Sequence, residues 1–192
     1  MEQKSGLGFT TVELVFIAIL GVVFGIVNNL FGIVYTALNA INPILATCFA
    51  PFGMVTLLAA FIVRKPGAAL LAGIINGLVQ FLAGNPSGLW TIGFGVAHGL
   101  GTELVFFLFR YKAWGWLNCF LASLVDGLFN VVLVVFAFGL FAVMPFAAVL
   151  TTVIIASLAS GVEAGLLGRV VGDLLCKAGL LKSFLIAKQQ PA

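Results

Sequence analysis

Apolar residues run through this chain in long blocks, and polar residues fall between the blocks or at helical spacing within them. Six blocks approach the roughly 20 mainly apolar residues that a membrane-spanning helix needs. They cover about residues 10–35, 43–63, 66–83, 88–109, 113–138 and 145–171. The breaks NAINP, RKP, GNPSG and RYK carry turn chemistry, and the last, residues 139–145, is the weakest because it is nearly all apolar. The pattern predicts an all-α membrane protein, with six transmembrane helices in one compact bundle and residues 1–192 forming a single domain.

Composition agrees: 62% of residues are hydrophobic and 8% charged, too few charges to cover a soluble domain of this length. No polar stretch is long enough for a second, soluble domain. The opening MEQKSGLGFT leads into a full-length apolar block without an A-x-A-like cleavage site, so the first block is expected to be retained. The nine lysines and arginines lie at alternate connections: Lys4, then Arg64 and Lys65, then Arg110 and Lys112, then Arg169, Lys177, Lys182 and Lys188. By the positive-inside rule these ends are cytoplasmic, as are both termini, and the uncharged connections face outward. Topology thus accounts for the net charge of +3, which gives no argument for nucleic acid. There is no G-x-x-x-x-G-K-[ST] loop, so ATP-driven work would need a partner.

Polar side chains inside a span normally face the bundle interior, a cavity or a partner helix. Asn76 and Gln80 are four residues apart in the third block, and Asp126 and Asn130 are four apart in the fifth. Trp90, Phe94 and His98 follow at successive steps of four in the fourth, and the first contributes Asn28 and Asn29. At about 1.5 Å per residue, Asn29, Gln80, Trp90 and Asn130 fall in the outer half, with Asn76, His98 and Asp126 near the middle. Together they would line an outward-facing pocket of aromatic walls and a few hydrogen-bonding groups, a common make-up for a small-molecule site. Amide side chains suit a flat heterocycle with ring nitrogens and an amino group, and Trp90 suits stacking or a cation. Each has a plainer role to set beside this: single amides glue helices together, and tryptophans sit in interface belts. Asp126 is the strongest functional candidate, because a midplane carboxylate must pair, protonate or meet a ligand.

Glu103 and Glu163 lie toward the cytoplasmic side, where structural roles are expected; Arg64, Lys65 and Arg110 are candidate partners for Glu103. Glu13 suits the positive end of the first helix. Five G-x-x-x-G motifs, starting at Gly21, Gly73, Gly95, Gly161 and Gly168, indicate close helix packing. Gly21 and Gly25 are candidates for a smooth outer face that meets a partner subunit. Cys48, Cys119 and Cys176 are scattered without metal-ligand spacing, and neither a metal nor a cofactor is expected.

The stretch RKPGAALLAGIINGLVQFLAGNPSGL followed by HGLGTELVFFLFRYK resembles the YkoE family. These are substrate-binding (S) subunits of energy-coupling-factor importers for thiamine or its hydroxymethylpyrimidine precursor. The resemblance is dense over residues 64–112. It implies a non-enzymatic, six-helix subunit of the bacterial cytoplasmic membrane, working with a transmembrane coupling (T) subunit and ATPase subunits. It also implies docking through small residues of the first helix. The chain departs from the family pattern at Gln80, where relatives tend to be acidic, at His98, where they carry glutamine, and at Ser87, often aromatic in relatives.

Other classes compete poorly. An intramembrane protease needs a nucleophile beside its base, and one histidine falls short of a metal cluster. A secondary transporter would be expected to show an inverted repeat between its halves. An S subunit for another heterocyclic vitamin is the nearest alternative. A reporter fused to the C-terminus should be active only on the cytoplasmic side; activity on the outer face would overturn the orientation.

Overall fold

The computed structural model describes residues 8–42 and 46–189 and contains, among these, only helices and their connections. Helix α1 spans Thr11–Ile41, α2 Met54–Val63, α3 Ala68–Leu82, α4 Trp90–Leu108 and α5 Trp116–Ala137. Helix α6 covers Phe146–Lys177 and holds a π-helical stretch at Gly161–Leu167, and the short α7 spans Leu185–Gln189. Helices α1, α4, α5 and α6 are each long and apolar enough to cross a membrane, whereas α2 and α3 are shorter.

Helix α2 is the hub. Its sequence MVTLLAAFIV is apolar all round, which suits a helix enclosed on every side, and Val55 through Val63 are all buried. It touches α1, α3, α4, α5, α6 and α7. The outer helices reverse the soluble pattern by turning large apolar side chains outward: Val15, Ile19, Val22, Ile26, Leu30 and Ile33 on α1 are all exposed. Lipid solvates such a face as well as the core would.

Glycine brings the helices close. A Cβ on Gly73 of α3 would overlap the carbonyl of Gly95 on α4, and a Cβ on Gly95 would overlap that of Gly73. One turn away, a Cβ on Gly77 would lie 2.5 Å from the Thr91 carbonyl oxygen. The α3 and α4 backbones therefore meet directly, as in small-residue packing of membrane helices.

Gly21 and Gly25 do not lie on a free outer face. Their added Cβ atoms would come within 2.6 Å of Ile75 and Val79 on α3, so the motif expected to meet a partner subunit is used inside the bundle. The reason is the bulk of Ile75 and Val79, β-branched residues one turn apart on α3, which leave room only for glycines on the facing stripe of α1.

The second apolar block is not one continuous helix. Pro43, its expected start, lies outside the described residues. Among those that follow, Phe49 and Ala50 are non-helical, Pro51–Gly53 make one 3₁₀ turn, and the α-helix begins at Met54. Pro51 explains the break: it lacks an N–H and pushes the preceding residue out of the α region, and Ala50 sits at φ −135°, ψ 45°. At the other ends, α1 runs to Ile41, past the expected end near residue 35, so Asn39 is helical rather than in the first connection, and α6 continues to Lys177.

The start of α1 is locked by a capping box. The Thr10 N–H donates to Glu13 Oε2 at 2.7 Å, the Glu13 N–H donates to Thr10 Oγ1 at 3.3 Å, and Lys65 Nζ reaches the same Glu13 oxygen at 2.7 Å. Glu103 pairs with groups other than the basic residues proposed for it. Its Oε1 accepts from the Ala69 N–H at 2.8 Å, capping the start of α3, and its other oxygen accepts from the Tyr111 hydroxyl. Burial and that carboxylate push the Tyr111 phenol well above its usual range, which keeps it a donor.

Because Gly25 packs on Val79, Gly25→Leu should destabilise the isolated subunit by overpacking, on the order of 2 kcal/mol. Gly32→Leu, where an added Cβ meets nothing within 4 Å, should be nearly neutral. Thermal unfolding of both variants in detergent checks this.

Candidate ligand-binding site

Unwound backbone inside an apolar bundle must find hydrogen-bond partners within the protein. The break at residues 49–53 finds three, each from a different helix. The Ala50 N–H donates to Glu163 Oε2 on α6 at 2.7 Å. The Phe52 carbonyl accepts from Asn28 Nδ2 on α1 at 3.0 Å. The Gly53 carbonyl lies 2.7 Å from Thr56 Oγ1 on α2, which closes the turn.

Below the turn lies Asp126 of α5, completely buried. Its Oδ1 is hydrogen-bonded to His98 Nδ1 on α4, and its Oδ2 is 3.3 Å from Thr56 Oγ1. Thr56 Oγ1 is in turn 3.0 Å from Thr102 Oγ1 on α4. Thr56 has one hydrogen to donate, for which the Gly53 carbonyl, Asp126 and Thr102 are the acceptors within reach. A Cβ at Gly53 would overlap the Asp126 carboxylate, and one at Gly101 would lie 2.5 Å from the Asp126 Cα. Only glycines allow α4 and the turn to close over this carboxylate. Both Asp126 oxygens are committed to protein groups, so the residue holds the floor under the break.

A chain of amides rises from the same turn. Asn28 Nδ2 also donates to Asn76 Oδ1 at 3.3 Å, and that oxygen accepts from Gln80 Nε2 at 2.6 Å. Gln80 Oε1 accepts from Asn85 Nδ2 at 3.4 Å, which also reaches Asn29 Oδ1 at 2.7 Å. The chain ends where Asn85 Oδ1 accepts from the Ser87 N–H at 2.9 Å, in the connection before α4. Beside the turn, four rings meet edge to face. Phe31 lies 5.6 Å from Phe49 and 6.2 Å from Phe52, Phe49 lies 6.1 Å from Phe52, and Tyr35 lies 6.3 Å from Phe52.

The structure thus joins Asn29, Asn76 and Gln80 in one network and His98 and Asp126 in one pair. It does not assemble the expected aromatic wall from α4. Phe94 packs against Phe138 at 6.2 Å, and Trp90 is 45% exposed at the helix end. Asn130 keeps its Oδ1 buried without a partner. The aromatic groups near the network come instead from Phe31 and Tyr35, one turn apart on α1, and from Phe49 and Phe52 in CFAPFG. The legible signal for the latter was a Pro–Gly pair inside an apolar block, which marks a break. Asn85, Thr56, Thr102 and the Glu163 contact had no comparable signal.

Comparison with known proteins adds to this geometry. Residues 12–129 match a family model described as the permease component of ABC-type cobalt transport systems. YkoE of Bacillus subtilis (strain 168), provisionally named an HMP/thiamine permease protein, is 33% identical over 177 residues, covering 88% of each chain. A crystal structure of an S-component of an ECF transporter superposes with a TM-score of 0.87 at 32% identity, covering 95% of this chain and 93% of the other. The chain belongs to the YkoE family of ECF-transporter S-components. A YkoE-type S-component is a multi-pass membrane protein and part of a transporter, not an enzyme. The buried His98–Asp126 pair therefore has no catalytic duty.

Removing one partner of a buried pair leaves the other unsatisfied in the bundle. His98→Leu is expected to cost about 3 kcal/mol, and the double change His98→Gln with Asp126→Asn, which keeps a hydrogen bond without charge, should recover most of it. Thermal unfolding in detergent gives both values; a double variant no more stable than His98→Leu would contradict the pairing.

Proposed function

We propose that this S-component captures thiamine, or its hydroxymethylpyrimidine moiety, from the outer side of the membrane. It would hand the ligand on with a transmembrane coupling subunit and ATPase subunits. The observation that carries this reading is the amide network with its four aromatic rings, built above a broken helix. Helix α2 has ten residues, about 15 Å of rise, against a bilayer core of about 30 Å. Before the helix lie the non-helical Phe49 and Ala50 and the 3₁₀ turn Pro51–Gly53, a break of the kind membrane proteins tolerate where it is buried or lines a cavity. Rings beside amides suit a flat, nitrogen-containing ligand.

The same reading gives six crossings with both termini cytoplasmic. Helices α1, α3 and α5 run outward and α2, α4 and α6 inward, with the turn at Pro51–Gly53 and its preceding segment completing the second crossing. The distribution of basic residues supports this sense, as does the name of the B. subtilis relative for the ligand. The absence of a P-loop in the sequence fits a subunit driven by a partner's ATPase. A metal cargo, suggested by the description of the matching family model, has less support. Among the described residues no group of three or more His, Cys, Asp or Glu side chains converges.

Purified alone, the subunit should bind thiamine and hydroxymethylpyrimidine saturably and without turnover, measured by calorimetry or tryptophan fluorescence. Failure to bind either compound would remove the ligand assignment and favour another small heterocycle.

A further inference from the structure

The amide network has a direction, and backbone groups set it independently at both ends. A carbonyl oxygen only accepts, so at Phe52 the Asn28 side chain must present its NH₂ group. Both hydrogens of that group are then used, one on Phe52 and one on Asn76 Oδ1. At the far end the Ser87 N–H only donates, so Asn85 must present its oxygen there and its NH₂ group to Gln80 and Asn29. Gln80 therefore accepts from Asn85 and donates to Asn76, which again makes the engaged atom of Asn76 its oxygen. The two ends agree. Asn76 Oδ1, with two lone pairs, is filled by Asn28 and Gln80.

Two atoms are left over. Asn28 Oδ1 and Asn76 Nδ2 are buried and without partners, on side chains whose residues are 1% and 3% exposed. One can only accept and the other can only donate, and they belong to two amides bonded to each other. Leaving buried polar groups unpaired is costly, so native structures rarely do so without a reason. Beside them stands Phe52, whose carbonyl orients Asn28 and whose ring belongs to the aromatic group with Phe31, Tyr35 and Phe49.

We propose that Asn28 Oδ1 and Asn76 Nδ2 read the amidine-like edge of a 4-aminopyrimidine, in which an amino N–H and the neighbouring ring nitrogen present a donor next to an acceptor. The inference rests on the reading of the protein as a thiamine or hydroxymethylpyrimidine subunit and sharpens it. Recognition is carried by the uncharged pyrimidine half, which both compounds share, and not by the thiazolium cation. The amino group donates to Asn28 and the ring nitrogen accepts from Asn76, while the ring lies against the aromatic group.

Oxythiamine is the discriminating probe. Its oxo group replaces the amino group and its neighbouring ring nitrogen carries a hydrogen, so donor and acceptor are exchanged while the thiazolium is unchanged. The wild-type subunit should bind thiamine and hydroxymethylpyrimidine at least about tenfold more tightly than oxythiamine, because a site built to hydrogen-bond rejects the mismatched group. Asn76→Asp, studied at mildly alkaline pH so that the carboxyl is ionised, keeps the oxygen that Asn28 and Gln80 use and turns the unpaired donor into an acceptor. It should lose at least about tenfold in affinity for thiamine and hydroxymethylpyrimidine, and its preference over oxythiamine should shrink or reverse. Equal wild-type affinity for thiamine and oxythiamine overturns the donor–acceptor reading while leaving vitamin capture standing. A uniform loss for all three compounds in a stably folded Asn76→Asp also overturns it. Failure of wild type to bind any of them overturns the ligand itself. Should Asn76→Asp unfold in detergent, the wild-type comparison decides alone.

Discussion

An unwound stretch of backbone inside an apolar bundle has no water to satisfy it, and the rest of this structure is arranged around that need. The break before α2 exposes the Ala50 N–H and the carbonyls of Phe52 and Gly53 to the interior. Glu163, Asn28 and Thr56 answer them from α6, α1 and α2. Asp126 and His98 then brace Thr56 from below. These are expensive side chains to place in a membrane, and the break gives them a reason to be there. It also gives the amide network its base, since the same Asn28 that holds Phe52 starts the chain of amides that ends at Asn85. The π-helical stretch that contains Glu163 belongs to the same device, such stretches being common at functional positions.

Glycine makes the second contribution. With α2 enclosed on every side, the other helices must approach it and one another closely, and they do so where Cβ atoms are missing. Gly73 and Gly95 bring α3 against α4, Gly21 and Gly25 bring α1 against α3, and Gly168 and Gly172 bring α6 onto Leu57 and Phe61 of α2. Helix α1 has thereby spent its glycine face on its own bundle, and what it offers outward is a stripe of valine, isoleucine and leucine. At the C-terminal end of α2, Arg64 and Arg169 both lie over the ring of Phe61, with Trp114 and Trp116 as their second faces, which anchors α2 and α6 there.

Much of this was legible before any coordinates. The apolar blocks announce the helices, and the spacing of Asn76 and Gln80 announces that they share a face. Those are local properties, determined by the 3.6-residue repeat and by the transfer of side chains from water to lipid. The family was legible as well, from RKPGAAL and its neighbours. Pro51 and Gly53 marked a possible break, yet an apolar block of 21 residues reads first as one helix.

Partnerships across the chain were settled only by the tertiary structure. Asn28 meets Phe52 across 24 positions and Glu163 meets Ala50 across 113, distances over which no periodicity carries information. Asp126 looks like a ligand residue in sequence because a midplane carboxylate needs a partner; packing decided that the partners are His98 and Thr56. Gly21 and Gly25 look equally suited to an outer or an inner face, since a glycine stripe is complementary to whatever helix reaches it first. Composition and periodicity determined that this chain is a bundle of membrane helices with amides on its inner faces. Which amide atoms are spent on the protein, and which are left unpaired, depended on the close approach of α1, α3 and the broken start of α2.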